Sequence, residues 1–370
     1  MAEKKYRATL NKGRSGWCVI FRHPVCKAPD GRQSLRVRRG LGTRDEDEAN
    51  RLVGQLNEIL ADSTYWNPAA KPKADANFEP QIVSAFYDHL TPEKRDGWTE
   101  RSSVIPVPTK EDGFATVQFV GTTGAGKTTV GRQLIGTDPR EERFPSISAA
   151  KTTVCDLEVI VSDGDYQGVV SFLPRDQVRQ YIMECATAAV AAHLEFATPS
   201  EITRRFMEHG EQRFRLSYIL GRLTPARADE DEEELEDEDE LEPIGEDAEV
   251  SAEDQERFAE RLQQFFATIE SIAFRSKEEI ASHFDMDFSR ASKQDRDVLQ
   301  EMVEEQLSQD DEFHALVDEV LDEVEARFEF VTTGELQRGR DGWPRLWTFT
   351  TDDRRNFIKS INRFSSNYAP

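Results

Sequence analysis

The sequence predicts a chain of two domains, a small α+β domain followed by a larger α/β domain that carries a long helical insertion. Three observations support this prediction. The chain has 370 residues, and a domain typically takes roughly 150 residues. Short β-rich runs and one helix occupy the first 60 residues, and an apolar strand, a glycine-rich loop and a helix follow residue 110. From residue 176 to residue 330, apolar residues recur at helical spacing.

Charge is distributed unevenly along the chain. The 47 Lys and Arg residues and the 71 Asp and Glu residues give a formal net charge of −24. Residues 1–44 nevertheless contain twelve basic and two acidic residues, a net charge of +10. Between Asp229 and Glu242, 12 of 14 residues are acidic. Because such a block repels itself and buries no apolar area, the sequence predicts a disordered acidic run at residues 229–250, inside the helical insertion.

Composition also bears on the compartment. No stretch approaches the roughly 20 apolar residues of a membrane-spanning helix, and no apolar run follows the N-terminus as it would in a secretory signal. The four cysteines form no Cys-x-x-Cys pair and are too few for a disulfide-based fold. Cys18, His23 and Cys26 are three candidate metal ligands without a fourth, which favours ordinary packing residues. We therefore expect a cytoplasmic protein without a membrane span.

The first 66 residues form a basic α+β module. Trp17–Phe21 and Ser34–Arg38 are short β-rich runs separated by turn residues. Thr43 and Glu46 have the spacing of a capping box, in which each side chain bonds the backbone N–H of the other residue. The apolar residues between Ala49 and Leu60 then fall on one face of a helix.

This strand–strand–helix order, with Gly40–Thr43 before the helix, resembles the N-terminal DNA-binding domain of phage-type integrases over about 55 residues. The resemblance implies a three-stranded sheet plus a helix, in which the strands lie in the major groove and basic side chains contact phosphates and bases. Residues 1–60 would then dock DNA, with Arg36, Arg38 and Arg39 on or beside the second strand. The residues alone leave a second interpretation open, in which the module binds a protein partner.

A phosphate-binding loop follows a proline-containing linker at residues 67–110. Gly121–Thr128 matches G-x-x-x-x-G-K-[ST] and stands between the apolar strand Ala115–Val120 and the helical run Thr129–Ile135. Glycines let successive backbone N–H groups turn toward phosphates, and the helix N-terminus adds partial positive charge. The motif predicts an α/β P-loop NTPase domain that uses Mg²⁺ and either ATP or GTP. The residues predicted to bind the nucleotide are Gly121, Thr122, Thr123, Gly124, Ala125, Gly126, Lys127, Thr128 and Thr129.

Two side chains of the loop have distinct predicted roles. Lys127 would bridge the β- and γ-phosphates, and the Thr128 hydroxyl would bind Mg²⁺. Downstream, the β-rich residues 154–161 and 168–173 flank an Asp/Gly turn, which predicts an antiparallel hairpin.

The order of phosphate loop, helix, threonine-bearing loop and hairpin resembles the opening half of GTPase-type domains, including dynamin-like ones. The resemblance implies a catalytic role for Thr152 or Thr153, which would sense the γ-phosphate, and coordination of Mg²⁺ by Thr153. Both threonines also suit the start of a strand. The sequence contains no Asn-Lys-x-Asp motif for guanine, and Asp165-Tyr-Gln-Gly168 precedes a strand instead of following one. The base and the Mg²⁺-binding carboxylate therefore stay unassigned.

The rest of the chain is predicted to be mostly helical and then to return to the nucleotide domain. Residues 111–175 are the first half of the P-loop domain, residues 176–330 the helical insertion and residues 331–370 the return. With Gly136–Pro139 after the loop helix and Phe144–Ser146 before the threonines, the chain resembles uncharacterised bacterial proteins labelled ATP-binding or dynamin-like. Members of that family are longer, so we expect the nucleotide domain to be an N-terminal fragment.

These features favour an NTPase that acts as a conformational switch, with a basic N-terminal arm that docks DNA or a protein partner. Two alternatives stay open. Gly124–Arg132 also resembles the phosphate loop of shikimate-kinase-like enzymes, which phosphorylate small metabolites, although that class expects a compact chain of about one domain. The other alternative is a nucleic-acid-binding regulator that the nucleotide gates without hydrolysis. The sequence leaves oligomerisation open.

Overall fold

A computed structural model describes residues 6–12, 16–27, 34–90, 96–122, 125–137, 144, 157–209, 216, 252–283, 302–362 and 364. The chain divides into two compact units. The first comprises Met1–Asp96 and Gly339–Gly342, and the second comprises Gly97–Arg338 and Trp343–Pro370. The predicted acidic run at residues 229–250 lies outside the described residues. Among the helices of the described part, none is long and apolar enough to cross a membrane.

The first unit is built on an antiparallel three-stranded sheet, in which β2 lies between β1 and β3. Its strands are β1 (Thr9–Lys12), β2 (Trp17–Lys27) and β3 (Ser34–Gly40). The first helix, α1 (Glu46–Ala61), packs its buried leucine and isoleucine side chains against Val19, Phe21 and Val37 on one face of the sheet. The predicted helix from Ala49 to Leu60 is thus present, and α1 covers one face of the sheet but not the other.

The start of α1 corrects the predicted capping box. Asp45, and not Thr43, is the N-cap: its Oδ1 accepts a hydrogen bond from the Glu48 backbone N–H at 2.8 Å. Thr43 Oγ1 donates to Glu48 Oε2 at 2.6 Å and accepts from Asp45 N at 3.1 Å. The chain offers two capping side chains in close succession, and the carboxylate has the additional attraction of its negative charge to the helix N-terminus.

The predicted linker at residues 67–110 is wrong for its first part, because residues 67–90 complete the core of the first unit. A short helix, α2 (Lys71–Asp75), leads to α3 (Pro80–Tyr87), whose Ile82 and Phe86 are fully buried. Tyr87 Oη donates to the Tyr65 carbonyl at 2.6 Å. Prolines at the first positions of α2 and α3 are compatible with helix, since the N–H groups there have no intrahelical partner.

Among its described residues, the second unit contains three strands and the helices named next. The helices are α4 (Gly97–Val104), α5 (Lys127–Ile135), α6 (Arg175–Leu194), α7 (Pro199–Met207), α8 (Ala252–His283), α9 (Asp311–Ala326) and α10 (Arg354–Asn362). The strands are β4 (Tyr166–Ser171), β5 (Glu335–Arg338) and β6 (Pro344–Thr351), and β6 lies between the other two in an antiparallel sheet.

The helices predicted between residues 176 and 330 form the larger core of the second unit. Apolar side chains of α6, α7, α8 and α9 meet there, among them Ile182, Phe206, Phe265, Ile269 and Val317. Ion pairs also join these helices: Arg179 Nε on α6 donates to the buried Asp318 Oδ1 on α9 at 2.9 Å. The apolar stripes read from the sequence are therefore core faces.

The strands of the second unit differ from the prediction. The expected hairpin between residues 154–161 and 168–173 is not formed by residues 157–161, and residues 154–156 lie outside the described residues. Instead, β4 pairs with β6, from Tyr166 opposite Thr351 to Ser171 opposite Leu346. Residues 157–161 and Ala115–Val120 form no strand in the described structure. Val117 is 69% exposed and Val120 is 84% exposed. All described strand pairs are antiparallel, so the α/β P-loop domain stays a prediction that rests on the loop.

Candidate functional site

The described part of the glycine-rich loop ends in a left-handed turn that begins a helix. Gly126 has a φ of +80° and is the N-cap of α5, so the helix starts at Lys127. Val130 N donates to the Gly126 carbonyl at 3.0 Å and closes the first turn. A left-handed backbone at this position favours glycine, which pays no steric penalty there. This explains the second invariant letter of the motif, the glycine before Lys127, in terms of local geometry.

The side chain of Lys127 folds back onto the start of the loop. Its Nζ donates to the Gly121 carbonyl at 2.8 Å and to the Thr122 carbonyl at 3.0 Å. A Cβ atom built on Gly121 would lie 3.2 Å from Ala125 Cβ, which is closer than most real contacts of this kind. The loop therefore closes on itself between Gly121 and Lys127, and its one ammonium group sits against the loop backbone.

The first turn of α5 places backbone N–H donors next to the Lys127 ammonium in the sequence. The first N–H groups of a helix have no intrahelical acceptor and carry partial positive charge. Thr128 is half-buried and Thr129 is exposed on that turn. An ammonium, helical N–H groups and a threonine hydroxyl therefore occupy consecutive positions, which is the donor set that phosphate oxygens and a phosphate-bound cation require.

Several residues of the predicted site lie outside the described residues. These are Thr123, Gly124, Thr152 and Thr153. The structure thus does not place either switch threonine relative to Lys127. In the described part of the chain, no group of three His, Cys, Asp or Glu side chains could hold a metal ion. Among the described residues of the loop, the Thr128 hydroxyl is the candidate ligand for Mg²⁺. It fits the cation as one oxygen ligand but does not complete its coordination shell.

Gly168 has a packing role that its place in Asp165-Tyr-Gln-Gly168 does not suggest. It lies within β4, beneath α10, and a Cβ there would come within 3.1 Å of both Ile361 Cδ1 and Phe357 Cε2. The Trp347 ring is 3.4 Å away on the neighbouring strand. The glycine is therefore needed for the close approach of a helix to a strand, and Asp165 lies in the turn before that strand.

The far end of α5 is held by a residue that the sequence did not single out. Arg354 Nη2, on the first turn of α10, donates to the Gly136 carbonyl at 3.0 Å. Thr137 Oγ1 donates to the Phe144 carbonyl at 2.8 Å. No side chain of α5 is buried, so these bonds at its C-terminal end fix the helix that carries Lys127. No local signal in the sequence could have identified Arg354, because its acceptor is 218 residues away.

In the first unit, the strand register separates the three candidate DNA-binding arginines. Arg36 lies directly opposite Arg22, and Arg38 lies opposite Ile20. Residues two apart on a strand share a face, so Arg36 and Arg38 lie on the face opposite to Val37 and α1. Arg39 is on the α1 side, where it forms an ion pair with Asp88. Arg36 is half-buried on this face and stays a candidate for an anion, whereas Arg38 is only 9% exposed and Arg39 is ion-paired with Asp88.

His23 and Cys26 are packing residues of this unit. His23 Nδ1 accepts hydrogen bonds from Val25 N at 3.1 Å and Cys26 N at 3.0 Å, and His23 Nε2 lies 3.1 Å from the Phe86 carbonyl. Nε2 consequently carries the proton and donates it to that carbonyl. Burial lowers the pKa of His23 to about 4. With both ring nitrogens bound to backbone groups, the imidazole has no lone pair directed at a metal.

Comparison of the chain with protein-family models, with curated proteins and with solved structures found no match. The features that bear on function are the loop at Gly121–Thr129 and the basic sheet of the first unit.

Proposed function

We propose that the chain binds a nucleoside triphosphate, ATP or GTP, with Mg²⁺ at residues 121–129 and hydrolyses it as a conformational switch. The main support for this proposal is the geometry at Gly126, where the glycine-rich loop meets α5. A left-handed glycine starts α5 at Lys127, and the ammonium of that lysine is bonded to the first two carbonyls of the same loop. This arrangement collects an ammonium and helical N–H groups at one point, which suits the β- and γ-phosphates.

Each residue of the proposed site has a separate task. Lys127 exchanges its carbonyl acceptors for phosphate oxygens, and the backbone of Gly121–Thr129 orients the phosphate chain. Bound Mg²⁺ supplies positive charge to the phosphates, and the Thr128 hydroxyl is its proposed ligand together with Thr153. Thr152 or Thr153 is the proposed contact to the γ-phosphate, by resemblance to GTPase-type domains. The titration that tests binding also compares the affinities for ATP and GTP.

The test is a titration of the full chain with fluorescent ATP and GTP in the presence of Mg²⁺. Lys127→Ala should weaken binding at least tenfold, because charge-assisted hydrogen bonds to phosphate are roughly twice as strong as neutral ones. Lys110→Ala removes the same charge from an exposed position outside the loop and should change affinity less than twofold. Equal affinity of wild type and Lys127→Ala for both nucleotides would exclude the proposal.

The arginines of the first unit favour a second function, the docking of nucleic acid. Arg22 and Arg36 are directly opposite each other on neighbouring strands. Like charges at such positions destabilise a sheet, and the face that carries them is the one without α1. A polyanion complements both positive charges at once, and its phosphates accept paired hydrogen bonds from guanidinium forks. We therefore favour DNA over a protein partner for residues 1–60.

This second function is tested by the salt dependence of duplex DNA binding to the full chain. Each phosphate contact contributes a slope of roughly −0.9 to a plot of log affinity against log salt concentration. Arg36→Gln should lower the slope by about one contact. Arg51→Gln, on α1 and paired with Glu79, removes the same charge and should leave the slope unchanged. DNA affinity that hardly varies between low and high salt would contradict this function.

A further inference from the structure

A row of three arginines crosses the sheet of the first unit. Pairing of β1 with β2 places Thr9 opposite Ile20 and Leu10 opposite Val19. The same register, continued two residues before Thr9, places Arg7 opposite Arg22, which is itself opposite Arg36. Neighbouring strands are about 4.8 Å apart, so three guanidinium groups start from backbone positions spread over roughly 10 Å on one face.

The side of the sheet on which the row lies is set by Ala8. Ala8 is buried in the core with α1, and its backbone exchanges two hydrogen bonds with the Asn57 side chain of that helix, at 2.8 and 3.2 Å. Because side chains alternate along an extended chain, Arg7 lies on the opposite side. It therefore shares its face with Arg22 and Arg36, away from the apolar core.

A pocket of about 410 Å³ opens at this row and is lined by Tyr6, Arg7, Arg22, Lys27 and Ser34. Three of its five described lining residues are cations, one is a phenol, and none is a carboxylate. Arg22 Nη1 donates to the Ser34 carbonyl at 3.3 Å, which holds the guanidinium across β3. A pocket with this lining selects an oxyanion, since guanidinium and ammonium groups donate charge-assisted hydrogen bonds to oxygen.

We propose that this pocket binds one phosphate group, and that in the working protein this phosphate is a phosphodiester of a nucleic-acid strand. The proposal rests on the second proposed function and gives it a discrete site in place of a diffuse basic surface. Positive charge continues from the pocket to the half-buried Arg36, which lies opposite Arg22 on the same face. A free phosphate ion would occupy the pocket alone, whereas an extended polyanion uses the pocket and the continuing row. The continuity of charge favours the nucleic-acid strand.

The first arm of the test measures inorganic phosphate binding by calorimetry, at constant ionic strength in potassium chloride. All proteins are full-length and carry Lys127→Ala, so that phosphate binding to the glycine-rich loop does not contribute. Adding Arg22→Gln should weaken phosphate binding at least tenfold. The matched control, Lys12→Gln, removes one cation from the other face of the same sheet, where Lys12 lies over the Trp17 ring, and should change binding less than twofold. Arg7→Gln, at an exposed residue before β1, is the second variant if Arg22→Gln fails to fold.

The second arm identifies the source of the phosphate. Inorganic phosphate should displace a short DNA duplex from the chain more strongly than chloride of the same ionic strength does, and Arg22→Gln should remove this excess. Phosphate binding without such displacement would overturn the phosphodiester assignment. No phosphate binding in the parent protein, or equal losses in Arg22→Gln and Lys12→Gln, would overturn the pocket itself. If the pocket binds no phosphate but the chain still binds DNA, the pocket proposal fails. If the chain binds no DNA at all, the second proposed function is contradicted.

Discussion

His23 illustrates, at the scale of a single residue, how backbone groups determine the state of a buried side chain. Two backbone N–H groups donate to its Nδ1, and its Nε2 faces the Phe86 carbonyl. Protonation of Nδ1 would break the first two bonds and place a charge where the ring is fully buried. Desolvation is the main cause that lowers the pKa of His23, and the positive charge of His89 also acts in that direction.

We therefore expect the first unit to lose stability as the pH falls below about 6.5. The folded pKa of His23 is about 4 and the ordinary value is 6.5, so between these values the unfolded chain binds a proton that the folded chain does not. The free energy of unfolding then decreases by roughly 1.4 kcal/mol per pH unit. The direct measurement is an NMR titration of the His23 ring, which should stay neutral down to about pH 5. A midpoint near 6.5 would contradict this expectation.

At the scale of secondary-structure elements, the sheet of the second unit is held by aromatic packing under α10. The Tyr166 and Phe357 rings stack with their centroids 5.6 Å apart, and Trp347 Nε1 donates to the Thr333 carbonyl at 2.7 Å. A Cβ atom on Gly168 would lie 3.1 Å from both Phe357 and Ile361, so these side chains would have to shift. The packing of α10 on β4 therefore depends on the absence of a side chain at one position.

Gly168→Ala should destabilise the second unit by about 1–3 kcal/mol, the usual cost of adding a methyl group to a packed interior. Urea unfolding of the second unit measures the loss. Nucleotide affinity below the unfolding transition should stay within twofold of wild type, since the glycine contacts α10 and β6. Asp165→Asn, in the turn before β4, is the matched variant and should change neither quantity appreciably. A selective loss of nucleotide binding in folded Gly168→Ala would contradict this expectation and show that the position of α10, whose Arg354 bonds the end of α5, affects the phosphate site.

The same elements show which parts of the fold the sequence could predict. The amphipathic helices α1, α6 and α9 follow from apolar spacing within one segment, because a helix satisfies its own backbone. Strands need a partner, and the partner of β4 is β6, far along the chain, instead of the adjacent residues 154–161. In the candidate site, the motif spacing predicted Lys127 and Gly126, whereas Arg354 and Arg22 emerged only from contacts.

At the scale of the whole molecule, the net charge of −24 is the sum of two opposite regions. The +10 of residues 1–44 is concentrated in the first unit, where the register brings Arg7, Arg22 and Arg36 into one row. The glycine-rich loop belongs to the second unit. Each proposed function thus has its own unit, and a switch would require a coupling free energy between the two sites.

By itself, the sequence determined the features that depend on neighbouring residues: the helix periodicities, the glycine and lysine positions of the loop, and the separation of charge along the chain. Only the tertiary structure decided that residues 67–90 complete the first core, that β4 pairs with β6, and that Arg36 and Arg39 take opposite faces of one sheet. The physical reason is the range of the interactions. A helical turn or a capped loop satisfies its hydrogen bonds within a few residues, whereas strand pairing and core packing depend on which distant segments meet.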